Sequence, residues 1–480
     1  MIKRILKWGG FGLLALICIL AFNTWRYTPA TVTQTSVDLP TVDANAVAEK
    51  LSQAIQIKTI SHQFGAPDRP QAYDDFIAWL ATAFPNATNA LDQMLVGGHT
   101  PLYHWKGQDP SAEAILISGH YDVVPIEGDW SRDPWAGEIS DGFVWGRGAL
   151  DMKGGVVSLM EAVDRLAATG FQPQRSIYIA LTQDEEIGGA GGAQSVVAYF
   201  EENGIDIGWS LDEGSFVLRD VISAIDTDIA SINVAEKGYM TVKITTQGLG
   251  GHSSLPHRQT AVSKLATAIT ELQADPVPGG LTDVSAEFFD ELGRHMGLTE
   301  RVLFANTWLF APLIESSLSR ANTTDAMLRT TKAPTMLEGA EAENILPQEA
   351  SVFINFRLHP RDDKATVLAH IDSKISDTHI DVDVLNARSA SPVASHENDA
   401  FAHLATTARQ VFGDVVVVPG LTIAGTDSSH YSQYAKNSYR FLPFVFTNDD
   451  IALLHGKDER ISVENLGKAV QYYELLIQGL

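Results

Sequence analysis

The sequence predicts an α/β fold with a largely parallel sheet, interrupted by an inserted α+β domain and preceded by a membrane-spanning helix. Between residues 114 and 212, short apolar runs alternate with stretches of helical spacing, which is typical of parallel strands joined by helices. Residues 239–245 and 351–358 instead alternate apolar and polar side chains, which indicates a sheet with one solvated face. The third observation is an uncharged, largely apolar run at residues 8–25.

That N-terminal run is about the minimum length for a membrane-spanning helix. Lys3, Arg4 and Lys7 precede it, and this charge asymmetry predicts a cytoplasmic N-terminus with the rest of the chain exported to the periplasmic or extracellular side. We predict that residues 1–40 form a single-pass anchor and its tether. The alternative is a cleaved signal peptide, which would release a secreted protein.

The other elements follow in order along the chain, and each is identified from its apolar spacing. Helices are expected at 42–48, 73–84, 156–166, 193–202, 261–272 and 465–477, and strands at 114–120, 176–182, 209–212, 239–245 and 351–358. Near Gly238 the pattern of apolar residues changes to alternation, and after the insert it returns to the α/β pattern. This predicts three units. These are a first core part at 41–237, an inserted domain at 238–388 and a second core part at 389–480.

The composition limits the classes of function. At 480 residues with 45% hydrophobic and 19% charged residues, the chain is long enough for two folded domains. Its formal net charge of −25 argues against nucleic acid as a partner, because phosphate binding requires a basic surface. Cys18 is the only cysteine, so any metal must be bound by His, Asp or Glu side chains.

Acidic and histidine side chains follow the predicted strands. Because the carboxyl ends of parallel strands meet at one sheet edge, we expect these side chains to lie together. Two unit charges 4 Å apart repel by roughly 4 kcal/mol at an effective dielectric of about 20, so such a cluster requires cations. The candidates are His120, Asp122, Asp151, Glu185, Glu186, Asp212, Glu213 and His455.

Mixed histidine and carboxylate ligands suit zinc, with cobalt or manganese as substitutes. Two such ions acidify water and polarise a carbonyl, which predicts amide hydrolysis. Glu185 is then the candidate general base. Taken singly, these residues have ordinary explanations, since Asp151 can cap the following helix and Glu186 can be a solvated charge. Their joint occurrence at strand ends favours the metal site.

At these residues the chain resembles the dinuclear zinc exopeptidase and amidohydrolase family of carboxypeptidase S, glutamate carboxypeptidase, aminoacylase and succinyl-diaminopimelate desuccinylase. The matching segments are 118–125, 146–154, 184–189, 211–214, 250–254 and 454–456. Residues 235–239, 329–335 and 459–465 are most similar to carboxypeptidase S and the N-fatty-acyl amino acid synthase/hydrolases. The resemblance covers nearly everything beyond the predicted anchor.

The resemblance implies a role for each ligand. Asp151 would bridge two zinc ions, His120 and Asp212 would complete the coordination of one ion, and Glu186 and His455 that of the other.

It further implies that Asp122 orients His120, that Glu185 is the base, and that the Asp151–Met152 peptide bond is cis. The implied activity is hydrolysis of an amide next to a free carboxylate, on a small peptide or an N-acyl amino acid. The alternatives are a dipeptidase for exported peptides and a non-catalytic metal-binding protein on the same fold.

The inserted domain would act as a lid and dimerisation domain. His252 would stabilise the oxyanion, often across the interface of a homodimer, and Asn344, Arg357, Gly425 and Thr426 match positions near the substrate's carboxylate. Without the resemblance, His252 would be interpreted as a turn histidine and Arg357 as a surface ion pair.

Two features remain open. Relatives commonly have an arginine where this chain has Ser429, which leaves carboxylate recognition undefined. The apolar residues of 288–313 are typical of a domain core, with an acyl-chain pocket as the alternative.

Overall fold

A computed structural model describes residues 2–30, 37–61, 70–222, 224–376 and 380–480. Part of the predicted tether, residues 31–36, lies outside the described residues.

The described helices agree with the predicted ones in position, with others between them. They are α1 (Ile2–Arg26), α2 (Ala44–Gln56), α3 (Pro70–Ala83), α4 (Pro85–Ala90), α5 (Lys153–Ala168), α6 (Ala193–Asn203), α7 (Ala261–Ala274), α8 (Asp283–His295), α9 (Leu298–Phe304), α10 (Thr307–Leu318), α11 (Asn322–Leu328), α12 (Lys364–Lys374), α13 (Asp399–Phe412), α14 (Ser428–Tyr431), α15 (Asn448–Ile451) and α16 (Val463–Gln478).

The described strands include each predicted strand. They are β1 (Asp92–Val96), β2 (Thr100–Trp105), β3 (Ala114–His120), β4 (Glu138–Ser140), β5 (Phe143–Trp145), β6 (Ile177–Thr182), β7 (Ile207–Asp212), β8 (Val217–Leu218), β9 (Ile229–Glu236), β10 (Gly238–Gln247), β11 (Gly251–His252), β12 (Thr331–Glu338), β13 (Ile345–Leu346), β14 (Glu349–Leu358), β15 (Ile380–Arg388), β16 (Val416–Thr422), β17 (Ser438–Arg440), β18 (Val445–Phe446) and β19 (Arg460–Ser462).

The main sheet is mixed, which corrects the prediction of a largely parallel one. Its order is β1-β2-β6-β3-β7-β17-β9-β8-β18, with β16 paired to β9. The centre, β6-β3-β7-β17, is parallel, but β2 pairs antiparallel with both β1 and β6. Gly97 and Gly98, both at positive φ, form the tight turn between β1 and β2, and only antiparallel strands can be joined that way.

The second sheet, in the order β12-β14-β10-β15, is antiparallel throughout. Helices α7 and α12 cover it, and their apolar residues form a separate core with Val242, Ile354 and Phe356. Strands β10 and β14 alternate buried and less buried side chains, as the sequence pattern predicts. This sheet lies within the range predicted for the inserted domain.

Helices α8 to α11 also lie within the range predicted for the inserted domain, but their buried apolar side chains pack with the main sheet and not in the core of the second sheet. Phe288, Phe289 and Leu292 share a core with Val416 and Val418 of the main sheet. The interpretation of this stretch as core therefore holds for the buried phenylalanines. The domain limits themselves stay a prediction.

Helix α1 contains a candidate membrane span at Lys7–Arg26, 20 residues with a mean hydropathy of 1.6 and 6% of its residues buried. A signal sequence has the same length and apolar composition. The C-terminal turn of α1 leads into buried Tyr27, which joins the core around α8 and α9.

Candidate metal centre

Strand ends and the loops that follow them position a cluster of acids and histidines. His120 ends β3, Asp151 lies between β5 and α5, and Glu185 and Glu186 form a short 3₁₀ turn after β6. The metal cluster defined here comprises His120, Asp151, Glu185, Glu186, Glu213 and His455.

Asp151 is central because its two oxygens face different histidines. Oδ1 lies 2.9 Å from Nε2 of His120, and Oδ2 lies 3.0 Å from Nε2 of His455. The same His455 nitrogen is 3.1 Å from a carboxylate oxygen of Glu186. Ligand atoms of His120, Asp151 and Glu186 all lie within 4.8 Å of one another. One carboxylate is thus shared between two sets of ligand atoms.

A second group contains His120, Glu185 and Glu213, again with ligand atoms within 4.8 Å of one another. Oε1 of Glu213 is 3.5 Å from Nε2 of His120. Asp212, the ligand implied by the resemblance, belongs to neither group. It ends β7, and neighbouring strand residues point to opposite faces, so the sequence alone does not decide which acid reaches His120.

Asp122 joins two parts of the site. It lies 3.3 Å from Nδ1 of His120, as the resemblance implies, and also accepts the backbone N–H groups of Glu185 and Glu186 at 3.2 Å each. The hydroxyl of Ser61 donates to it as well. One buried carboxylate therefore orients the histidine and the acidic turn together.

The loop carrying Asp151 is held by Glu459. This buried carboxylate accepts the N–H groups of Leu150 and Asp151, at 2.8 and 3.2 Å, and pairs with Arg147 at 2.6 Å. The Asp151–Met152 peptide bond is cis, which confirms the prediction.

The electrostatics of the cluster indicate too much negative charge for its surroundings. Burial, with repulsion from neighbouring acids, raises the pKa of Glu185 well above its usual range and that of Glu186 to about 7. Burial and Glu213 raise the pKa of Asp212 to about 7. Hydrogen bonds to Asp151 and Glu186 raise the pKa of His455 to about 10.

These side chains fit divalent cations. Ligand atoms of His120, Asp151 and Glu186, and of His120, Glu185 and Glu213, lie within 4.8 Å of one another, and carboxylates with imidazoles form a ligand set for zinc. Cations would favour the charged carboxylates and the neutral histidines at once.

The residues expected to contact substrate fall into two places. His252 and Asn344 are exposed on the β11–β13 pair, where the N–H of Ser253 donates to the carbonyl of Asn344 at 3.0 Å. Nδ1 of His252 lies 2.8 Å from the hydroxyl of Ser254. Among the described residues, His252 makes no hydrogen bond or ion pair with the metal cluster.

The other place is the loop of Gly425 and Thr426. Thr426 donates its N–H and its hydroxyl to the buried Glu236, at 3.1 and 2.8 Å. A Cβ built on Gly425 would lie 3.0 Å from Nη2 of Arg388 and 3.8 Å from Nη1 of Arg357. Two guanidinium groups therefore border this loop.

The comparison with family models decides which family this is. The model described as peptidase family M20/M25/M40 matches residues 116–479, which include every member of the metal cluster. The chain belongs to this family. It is therefore a hydrolase, and its family is one of metal-dependent peptidases.

Curated relatives in the M20/M25/M40 family align along most of the chain. A probable carboxypeptidase S-like 2 from Dictyostelium discoideum is 37% identical over 97% of this chain and 92% of its own length. The N-fatty-acyl-amino acid synthase/hydrolase PM20D1.1 from Danio rerio is 34% identical, over 89% of this chain and 84% of its own.

Solved structures share the fold at low identity. The M20 family metallo-carboxypeptidase Sso-CP2 from Sulfolobus solfataricus has a TM-score of 0.63 at 18% identity, covering 91% of this chain and 99% of its own. Human carnosine dipeptidase 1 has a TM-score of 0.60 at 16% identity, covering 91% and 97%.

Arg388 borders the candidate site, and sequence reasoning missed it in this M20/M25/M40 chain. Its Nη1 donates to the hydroxyl of Ser429, and its Nη2 lies 3.2 Å from Glu236. Arg357 and Arg388 are the cross-strand partners of Tyr239 on its two sides. The signal was the departure at Ser429, but finding the arginine beside it required the strand register.

Proposed function

We propose that the chain hydrolyses an amide bond next to a free carboxylate, as a carboxypeptidase or N-acyl-amino-acid hydrolase. The observation that carries the proposal is the placement of Asp151, one oxygen of which faces His120 and the other His455, at 2.9 and 3.0 Å. A carboxylate shared in this way suits two ions better than one.

We assign His120 and Glu213, in place of Asp212, to one ion and Glu186 and His455 to the other, with Asp151 shared. Zinc fits these ligands, with cobalt or manganese as substitutes. When bound, two such ions would supply the Lewis acidity that activates water and polarises the carbonyl of the substrate.

Glu185 is the proposed general base. It is grouped with His120 and Glu213, and Asp122 fixes its backbone N–H at 3.2 Å. Its carboxylate takes a proton from the attacking water as the new C–O bond forms. It then returns that proton to the nitrogen as the C–N bond breaks, releasing the amine.

Arg357 and Arg388 are proposed to bind the substrate's free carboxylate, together with the Gly425 loop. Guanidinium groups suit this task because they donate two parallel hydrogen bonds to a carboxylate. The contact of Arg388 with Ser429 supports a substitution of roles. Arg388 of β15 would bind the carboxylate in place of the arginine that relatives commonly have at position 429.

His252 is proposed to reach the oxyanion of a second copy's substrate, and neighbouring Asn344 is proposed to bind the carboxylate of that substrate. The exposure of His252 on the β11–β13 pair supports a role across a homodimer, as does its lack, among the described residues, of any hydrogen bond or ion pair to the metal cluster. We also propose that α1 anchors the chain in a membrane with the catalytic part on the exported side. A secreted form after cleavage is the alternative.

One assay separates the candidate activities. The full chain would be given N-long-chain-acyl amino acids and N-blocked dipeptides, with and without a chelator. Chelator-sensitive release of amino acid from the acyl substrates is the expected result. Preference for the dipeptides would favour an exported dipeptidase, and no release from either would support a non-catalytic binding protein.

A further inference from the structure

Helix α10 has apolar side chains on two faces. Phe310 and Ile314 pack into the core that α8 and α9 share with the main sheet. On the other side, Trp308, Leu309 and Leu313 are 61%, 40% and 57% exposed. These three residues, called the apolar patch here, lie one and four positions apart and so form one stripe of the helix. Exposed apolar stripes of this kind mark binding surfaces.

The patch is uncharged. The only charged residue of α10 is Glu315, and its carboxylate accepts the N–H of Leu281 at 3.0 Å, away from the patch. Helix α10 adds no charge to this face, although Glu287 and Asp290 of α8 line the cavity beside Trp308. A tryptophan with two leucines matches the boundary between lipid headgroups and acyl chains.

The start of α10 is attached to α1. Asn306, the residue before α10, accepts a hydrogen bond from the amide of Asn23 at 2.8 Å. Its own amide nitrogen lies 3.4 Å from the carbonyl oxygen of Leu20. The hydroxyl of Tyr27 donates to the carbonyl of Asp290 on α8, which fixes the end of α1 to the same helices.

This attachment sets the level of the start of α10 along α1. Leu20 precedes Arg26, the end of the candidate span, by roughly 9 Å along the helix axis, at 1.5 Å per residue. The first turn of α10 is therefore level with the last turns of the span. A surface beginning at that level meets the interfacial layer, since interfacial helices are buried about 5 to 10 Å into it.

We infer that the apolar patch inserts into the lipid bilayer beside α1, so that the catalytic part rests on the membrane through two contacts. The inference depends on the proposed anchor. Its occupant is a lipid surface, and zwitterionic lipid is the suitable probe because the chain carries a net charge of −25.

The test uses the full chain in phosphatidylcholine vesicles with an environment-sensitive fluorophore on one cysteine. The native Cys18 reports on the anchor. In a Cys18→Ser background, Leu313→Cys reports on the patch, and Leu337→Cys, at an exposed leucine of the second sheet, is the matched control. Spin-labelled lipid is then added as a quencher.

We expect the label at position 313 to emit at shorter wavelength than that at 337 and to be quenched more strongly by the lipid. Equal, weak quenching at 313 and 337 overturns the inference, whatever Cys18 reports. A wavelength shift at 313 without lipid quenching overturns it as well and indicates a second protein copy. Quenching at 313 but not at Cys18 overturns the two-contact arrangement and shows that the proposed anchor fails.

Discussion

One chain brings the residues of the metal cluster together, but it does not bring together the residues expected to contact the substrate. The cluster is assembled: the two oxygens of Asp151 lie 2.9 and 3.0 Å from His120 and His455, and Asp122 and Glu459 brace the loops around them. His252 and Asn344, in contrast, stand exposed on the β11–β13 pair.

The two regions differ because different parts of the fold position their residues. His120, Glu185, Glu186 and Glu213 follow strands of the main sheet, whose hydrogen-bond register brings them together. Asp151 follows β5, and His455 precedes β19, in the three-stranded sheet β19-β5-β4. The substrate side combines the second sheet, the Gly425 loop and, in our proposal, another copy of the chain. Chemistry should therefore fail when one cluster residue changes, whereas recognition should weaken gradually.

The largest effect is expected at the base. Glu185→Gln keeps the size of the side chain but cannot accept the proton, so kcat should fall by roughly 10²–10⁴-fold. Metal content by elemental analysis should match that of the wild type. Glu202→Gln, an exposed glutamate on α6, is the control and should change neither. Turnover at the wild-type rate in the Glu185 variant would falsify the assignment.

A matched pair tests which acid reaches His120. Glu213→Gln should lower the affinity for one metal ion by about 10-fold or more, because a ligand becomes neutral, while Asp212→Asn should retain two ions with a smaller change. Metal titration of both variants measures this. The opposite order would return the ligand role to Asp212.

A smaller effect is expected on the recognition side. Arg388→Ser should raise KM by about 10–100-fold for substrates with a free carboxylate, as expected for loss of a charged hydrogen bond. KM for the corresponding amides should hardly change.

Placing an arginine at position 429, which contacts Arg388, provides the control. Adding Ser429→Arg to Arg388→Ser should recover much of the affinity. A KM that rises equally for carboxylate and amide substrates, without recovery in the double variant, would indicate a structural role only.

The last prediction concerns stability and not activity, at the contact between the second sheet and α8. His359, just after β14, is buried against Ser285 of α8, at 3.3 Å between Nε2 and the hydroxyl. Burial, assisted by Arg361 and Lys237, lowers its pKa to about 3. The unfolded chain thus binds more protons between pH 3 and about 6.5, so stability is full above that window and falls as pH drops through it.

His359→Gln should flatten this dependence of the free energy of unfolding, by up to about 3 kcal/mol at pH 4. Urea unfolding of both proteins from pH 7 to pH 4 measures the difference. Parallel curves for the wild type and the variant would show that His359 stays charged or exposed.

The sequence could predict most of the metal cluster but little of the substrate side. His120 and Glu186 could be predicted because they follow strands of the parallel centre of the main sheet, whose strand ends meet at one edge. Asp151 follows β5 of a separate antiparallel sheet, so the strand-end argument does not account for its position. The choice between Asp212 and Glu213 depends on the direction of a side chain at the end of a strand, which the sequence leaves open.

Pairings between distant segments were also beyond the sequence. Arg388 borders the candidate site only through the register of β15 against β10, which places it beside Tyr239. The antiparallel edge of the main sheet depends on a short turn at Gly97 and Gly98 that the apolar pattern did not reveal.

The central claim is that two metal ions share Asp151, and metal stoichiometry tests it most directly. Purified wild-type chain, loaded with zinc and dialysed, should hold two ions per chain, and Asp151→Ala should lose at least one of them while remaining folded by circular dichroism. Two zinc ions retained in folded Asp151→Ala would contradict the account.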